Sequence, residues 1–182
     1  MNQKILAVDD ELHMLKLLER IIKDKTGYQV EILNNSLELP SLLENKEFDL
    51  IITDLKMPGM DGLDILKFIK DNNRMEEVII ITAFGSLDSA TEALSAGVFD
   101  YITKPFKKEE IINTIDRAIR WQECKKETCR LNSLFETEPL DSAIMTFRKE
   151  YIRRMLAKYD NSIEETSRHS GLSIEEIGDI SG

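Results

Sequence analysis

The stretch Val78-Ile79-Ile80-Ile81-Thr82 ("VIIIT", 78–82) is apolar until its last position. Successive side chains of a strand point to opposite faces, so a strand with one face in water alternates apolar and polar residues, and a run without alternation is buried on both sides. That pattern belongs to a parallel sheet covered by helices on each face. Working outward, "KILAV" (4–8), "YQVEIL" (28–33), "FDLIIT" (48–53) and "FDYIT" (99–103) are further strand-like runs. Between them lie the helix-period segments "LHMLKLLERIIKD", "SLELPSLLEN", "GLDILKFIKDN" and "SLDSATEALSAG". Parallel strands need crossovers of about this length, and these should be right-handed. The expected fold class is α/β, a doubly wound five-stranded parallel sheet followed by a small all-α C-terminal region.

A chain of 182 residues, 42% hydrophobic and 32% charged, has room for one domain and a smaller second one. No apolar run approaches the roughly 18–20 residues that span a bilayer, and Met1-Asn2-Gln3-Lys4 enters the first strand without a signal-peptide core. The expectation is a cytoplasmic protein with no membrane contact. Cys124 and Cys129 are five apart on a helix and point in different directions, which suits neither a disulfide nor a metal site. A net charge of −10 opposes non-specific attraction to nucleic acid or anionic membrane. Residues 1–120 hold 22 acids and 15 bases, 121–139 hold 4 and 3, and 140–182 hold 8 and 6, so no segment is a basic arm.

The helix starting near Lys107 carries an apolar seam of Ile111, Ile112, Ile115, Ala118 and Ile119 that weakens beyond Trp121 into Gln122, Lys125 and Lys126. The expectation is a last domain helix that frays into a solvated linker, with a connector that pairs with its own copy as the alternative. The domain boundaries follow: 1–121, a helical linker over 122–139, and a small helical region over 140–182. Forty-odd residues bury little surface, so this last region is expected to lean on dimerisation or on the first domain.

Chemistry-bearing residues cluster at the carboxyl ends of the strand-like runs: Asp9 and Asp10 after the first, Asp54 after the third, Thr82 closing the fourth, Lys104-Pro105 after the fifth. In an open parallel sheet these ends line one rim, where ligands bind. Singly, each has an ordinary explanation, as a cap, a loop start, a strand residue or a surface charge. Together, three acids at one rim repel each other unless a cation neutralises them. All-oxygen donors without His or Cys suit a hard ion, and Mg²⁺ fits better than Ca²⁺, because the acids in "DLKMPGMDGLD" fall at the wrong intervals for a calcium loop. A carboxylate nucleophile, Mg²⁺, a hydroxyl and a lysine make a phosphoryl-transfer site.

Through "VDDE", "IITDLKMPGMDGLDIL", "IITAFGS" and "TEALSAGVFDYITKPF", in that order, residues 1 to about 121 resemble the receiver domain of bacterial two-component response regulators, with "AFGSLDSATEALSAGVFDYITKPF" similar to the nitrogen-regulation class. The resemblance implies a flavodoxin-like strand order 2-1-3-4-5. It implies that Asp54 accepts phosphate from a sensor histidine kinase. Asp9, Asp10, Asp54 and the backbone carbonyl of Lys56 would hold Mg²⁺, Lys104 would pair with a phosphoryl oxygen, and Thr82 and Tyr101 would form a switch pair. It implies a cis Lys104–Pro105 bond and a signalling protein that can dephosphorylate itself, not a dedicated enzyme. Lys56 and Phe84 stand where such domains tune acyl-phosphate lifetime, and Phe84 cannot orient an attacking water, so self-dephosphorylation is expected to be slow. His13, in the first turn of a helix, reads as a solvated surface residue.

Residues 140–182 resemble the Fis-type helix-turn-helix of nitrogen-regulation activators, through "YIRRMLAKYDNSIEETSRHSGLS", without the Gly-rich ATPase module. A long dimerising helix then implies a homodimer, and the layout implies DNA as a partner and a transcriptional output. The departures oppose DNA: Thr166, Ser167 and Ser170 stand at core-facing positions, and Glu175, Glu176, Gly178 and Asp179 stand where a reading helix needs Arg, Lys, Asn or Gln. Arg148, Lys149, Arg153 and Arg154 on the earlier helix remain as phosphate contacts or as a merely solvated face. A helical tail that contacts protein instead of DNA is the competing output.

Overall fold

The computed structural model describes the backbone of residues 3–83, 87–137 and 139–181, and the side chains of these except 87, 88, 131–137 and 179–181. Phe84 lies outside the described residues. The chain divides into two compact units, Met1–Lys126 and Glu127–Gly182.

The first unit is built on five parallel strands, β1 (Lys4–Val8), β2 (Gln29–Leu33), β3 (Leu50–Thr53), β4 (Glu77–Thr82) and β5 (Asp100–Thr103), in the order β2-β1-β3-β4-β5. Helices α1 (Leu12–Lys25), α2 (Leu39–Asn45), α3 (Gly62–Asp71), α4 (Leu87–Ser95) and α5 (Lys108–Thr137) connect and follow them, a short 3₁₀ turn (Ser36–Glu38) leading into α2. Unalternated apolar strands are buried on both faces because two separate clusters cover them. Ile5, Ala7, Leu50, Ile52, Ile79 and Ile81 pack on one side against Leu15, Leu18 and Ile22 of α1 and Ile111, Ile115, Ala118 and Ile119 of α5. Leu6, Val8, Ile51, Val78 and Ile80 pack on the other against Leu39 and Leu43 of α2, Ile65, Leu66 and Ile69 of α3, and Ala93 of α4. Each strand therefore contributes alternate residues to two cores.

Helix α5 does not fray at Trp121. Beyond that residue its polar side chains find partners at the amino ends of the strands: Lys125 Nζ lies 2.9 Å from Glu77 Oε1, Lys126 Nζ 2.5 Å from Asp49 Oδ1, and Gln3 Nε2 donates to Glu123 Oε1 at 2.6 Å. Gln122 continues the buried seam, fully enclosed, and its amide has no hydrogen-bond partner. The apolar seam stops where the sheet ends, and ion pairs take over from it.

The second unit contains α6 (Leu140–Lys158), α7 (Ile163–Ser170) and α8 (Ile174–Ser181). Ser162 caps α7 through Glu165 N, and Gly171 ends it in the left-handed region at φ 75°, which a residue without a Cβ adopts freely. Among the described residues the apolar side chains fully buried here are Ile152 and Ile177.

Candidate phosphoacceptor site

The rim at the carboxyl ends of the strands is assembled by backbone hydrogen bonds that run one residue past the ladders. Asp9 N donates to Leu33 O at 3.2 Å, Asp54 N to Val8 O at 3.1 Å, and Lys104 N to Thr82 O at 2.8 Å. These bonds bring Asp9, Asp54, Thr82 and Lys104 to one place from four strands. Helix α3 closes against the Asp54 backbone, and a Cβ on Gly62 would stand 2.6 Å from the Asp54 carbonyl oxygen, so only glycine permits that approach. Asp61 caps α3 in a reciprocal box with Asp64, which uses those two acids structurally.

Within the rim, carboxylate oxygens of Asp9, Asp10 and Asp54 lie within 4.8 Å of one another. Asp9 and Asp54 are buried while Asp10 is exposed, so the cluster opens to solvent on one side. Lys104 Nζ donates to Asp9 Oδ2 at 3.1 Å and stands 3.7 Å from Asp54 Oδ2. Backbone N–H groups hold the inner oxygens: Glu11 N donates to Asp9 Oδ1 and Leu55 N to Asp54 Oδ1, at 2.8 and 2.9 Å. Burial pushes the Asp54 carboxyl above its ordinary range; Lys104 pulls it back, the Asp9 charge pushes it further up, and hydrogen bonds from Thr82 and Leu55 lower it. One lysine opposite three carboxylates leaves net negative charge in a pocket of oxygen donors, an arrangement that suits a hard divalent cation. The acidic cluster can bind such an ion.

Thr82 is completely buried. Tyr101 lies on β5 opposite Ile80 of β4, half-buried against the α2–α4 side of the sheet, its hydroxyl 3.0 Å from Ser89 Oγ. The sequence marks Ser89 only by its four-residue spacing to Ala93, which places both on one face of α4. Lys56 follows Asp54 by two residues with an exposed side chain, and the Lys104–Pro105 bond is cis. His13 is exposed, its Nε2 3.0 Å from Glu11 Oε2, and is not one of the residues of the acidic cluster. Neither Cys124 nor Cys129 forms a disulfide, and both are exposed.

In the second unit, α7 ends at Gly171 and α8 begins at Ile174. The polar residues expected at core-facing positions are buried at Thr166 and half-buried at Ser167 and Ser170. Thr166 is buried with its hydroxyl unpartnered, Ser167 Oγ donates to Leu172 O at 2.7 Å, and Ser170 Oγ accepts from Leu172 N at 3.3 Å. Ser167 and Ser170 thus fasten the turn. Glu176 is also committed, since Ser173 N and Ser173 Oγ both donate to its Oε2 at 2.8 Å and its own N–H donates to Ser173 Oγ. These bonds hold its carboxyl below the usual range, with Arg148 adding a smaller effect. On α6, Glu150 accepts from Arg153 and Arg154, which hold its carboxyl down at about 2. Arg154 also reaches Glu127 at 2.7 Å.

Residues 5–116 match the response regulator receiver domain family, and the chain belongs to it. The transcriptional regulatory protein ZraR of Klebsiella oxytoca is 37% identical over 115 residues, which are 63% of this chain and 26% of that protein. The chain therefore spans about a quarter of that regulator. Sporulation initiation phosphotransferase F of Bacillus subtilis is 38% identical over 119 residues, 65% of this chain and 95% of that protein. Among solved structures, the beryllofluoride-activated NtrC4 receiver domain dimer is similar at a TM-score of 0.61 and 32% identity, over 65% of this chain and 98% of that one. The first unit is thus a receiver domain, similar to those of ZraR and NtrC4. Among the described residues, no helix is long and apolar enough to cross a membrane.

Proposed function

We propose that the chain is a two-component response regulator whose Asp54 accepts a phosphoryl group from the phosphohistidine of a sensor histidine kinase. The observation that carries this reading is Asp54 itself, a buried carboxylate at a strand end, with Asp9 and Asp10 beside it and Lys104 Nζ at 3.7 Å. Asp9, Asp10, Asp54 and the Lys56 carbonyl would hold Mg²⁺, which when bound neutralises the carboxylates and the charge of the phosphoryl oxygens. An Asp54 oxygen forms the new P–O bond as the donor's P–N bond breaks, and the freed imidazole nitrogen takes a proton from solvent. Lys104, which bonds Asp9 in this arrangement, has Asp54 next in reach and so is placed to take a phosphoryl oxygen carried there. Leu55 N–H holds the other Asp54 oxygen and fixes the carboxylate plane. The Thr82 hydroxyl moves to the phosphoryl group, and Tyr101 turns behind it.

Asp54→Asn is expected to abolish labelling by radioactive acetyl phosphate with Mg²⁺. Undiminished labelling of that variant overturns the assignment.

The output proposed for the second unit is transcriptional, through the α7–turn–α8 motif of a homodimer in a cytoplasmic regulator. The helix order and the Gly171 turn support it, as does similarity to the receiver domain of ZraR, a protein named as a transcriptional regulator. A second reading, a tail that pairs with protein instead of DNA, is favoured by two observations. Leu140, Ile144, Phe147 and Tyr151 form an exposed stripe at helical spacing along α6, and Arg153 and Arg154 are engaged by acids of their own unit. An anisotropy titration on genomic DNA fragments at stated salt, with and without beryllofluoride, separates them. Binding no tighter than to random DNA at low salt rejects the transcriptional output.

A further inference from the structure

We infer that Ser89 is a positioning residue for the switch aromatic: its hydroxyl ties the Tyr101 phenol to α4, and this bond sets how readily the ring leaves its place. The inference rests on the reading of Asp54 as phosphoacceptor with Thr82 and Tyr101 as its switch pair, and it names a residue that regulates that pair.

The placement follows from strand and helix periodicity. Ile80 and Thr82 are two apart on β4 and share a face, and Tyr101 registers opposite Ile80 on β5. Thr82 and Tyr101 therefore face the same side of adjacent strands, where a displacement of one reaches the other. The Tyr101 ring packs in the cluster that contains Ile80, Ala93 and Val98. Ala93 is completely buried, which turns its face of α4 to the sheet, and Ser89 lies one turn before it on that face. The Ser89–Tyr101 contact is 3.0 Å, within ordinary hydrogen-bond range, with either hydroxyl able to donate.

Apolar packing is non-directional and holds a ring by the area it buries, not by the orientation of one bond. A hydroxyl pair is directional and is lost when the ring turns. The bond therefore opposes rotation of Tyr101 and makes that rotation depend on where α4 sits. A change at Asp54 that draws Thr82 away has to break this bond as well as repack the ring, which gives α4 a part in the response.

The test uses the full chain with beryllofluoride and Mg²⁺ as the probe, affinity read by nuclear magnetic resonance. Ser89→Ala is expected to tighten apparent beryllofluoride binding by about twofold to tenfold, the range set by one net hydrogen bond. Ser89→Thr keeps the hydroxyl and is expected to keep the original affinity. Combining Ser89→Ala with Tyr101→Phe should change affinity no further than either variant alone, since both remove the same bond. Amide hydrogen exchange across α4 should also quicken in Ser89→Ala. An unchanged or weaker affinity for Ser89→Ala, fully additive variants, or unaltered α4 exchange each overturn the inference. If the unaltered protein takes up no beryllofluoride, the phosphoacceptor reading falls first. If it binds and Ser89→Ala does not differ, only the role of Ser89 falls.

Discussion

Residues 1–126 and residues 127–182 solve the problem of staying folded in opposite ways. The first unit sandwiches a sheet between two apolar clusters, so most of its strand residues are buried on one side or the other. The second, among the described residues, fully buries Ile152 and Ile177, and with them Thr166, whose hydroxyl finds no partner. Local side-chain bonds within its helices and turn add to that small core: the Ser173–Glu176 box, the Ser167–Leu172 contact, and the arginines around Glu150. Exposed bonds of that kind contribute tenths of a kcal/mol to about 1 kcal/mol each, whereas a buried isoleucine contributes several times more. A deep core lets a domain place buried charge at its rim, as Asp9 and Asp54 show. A shallow one leaves little to spare.

The contrast is most easily broken by cavities. Ile52→Ala in β3 is expected to cost about 2–5 kcal/mol and still leave a folded first unit. Ile177→Ala, a similar loss from a far smaller core, should unfold the second unit outright while the first keeps its cooperative transition. Chemical denaturation followed by circular dichroism, with resolved spectra of each unit, distinguishes the two. Equal, mild effects of both variants would mean that the second unit is better supported than its burial indicates.

A smaller effect, of opposite sign, is expected at Gln122. Its enclosed amide has no partner, and an unsatisfied buried polar group costs about 1–3 kcal/mol, so Gln122→Met should stabilise the first unit by about 1 kcal/mol. A lowered denaturation midpoint would show that the amide is satisfied after all.

The smallest expected effect is at Glu150, and it sharpens the description of the second unit. Its carboxyl is held near 2 against an ordinary value of 4.5, through hydrogen bonds from Arg153 and Arg154. A carboxyl held down when folded contributes stability that is complete above its ordinary range and is lost as the pH falls towards its folded value. The second unit should therefore weaken between about pH 4.5 and 2, and Glu150→Gln should remove that part of the acid dependence. Helical circular dichroism against pH, compared between the two proteins, measures it. Identical acid profiles would show that these surface pairs contribute nothing.

Much of the first unit was legible because its signals are local or periodic. The unbroken run Val78–Ile81 called for burial on both faces, and Asp9, Asp54, Thr82 and Lys104 each sit at a strand end, so a parallel sheet alone brings them to one rim. Ser89 was legible only as a residue on the Ala93 face of α4, because its importance depends on that face meeting the sheet and on how far the Tyr101 ring reaches. The expected fraying after Trp121 failed for a similar reason. Lys125 and Lys126 look like solvent-facing charges in the chain, and only the folded sheet presents Glu77 and Asp49 to them. In the second unit, Glu176 stands in the sequence as an acid where a DNA-reading helix needs Arg, Lys, Asn or Gln, and the structure shows its carboxylate occupied by Ser173 three residues earlier. That Ser-x-x-Glu spacing was present in the sequence as a helix-start signal.

The amino-acid sequence by itself determined the strand count, the alternation of strands with helices, and the meeting of the acids with a lysine. Hydrophobic periodicity and strand ends are properties of short segments, whatever their surroundings. Only the tertiary structure decided that Lys104 bonds Asp9 while standing 3.7 Å from Asp54, that Tyr101 is tied to Ser89, and that Gln122 is enclosed without a partner. Each depends on how separate elements meet in space, which follows from how the helices pack on the two faces of the sheet.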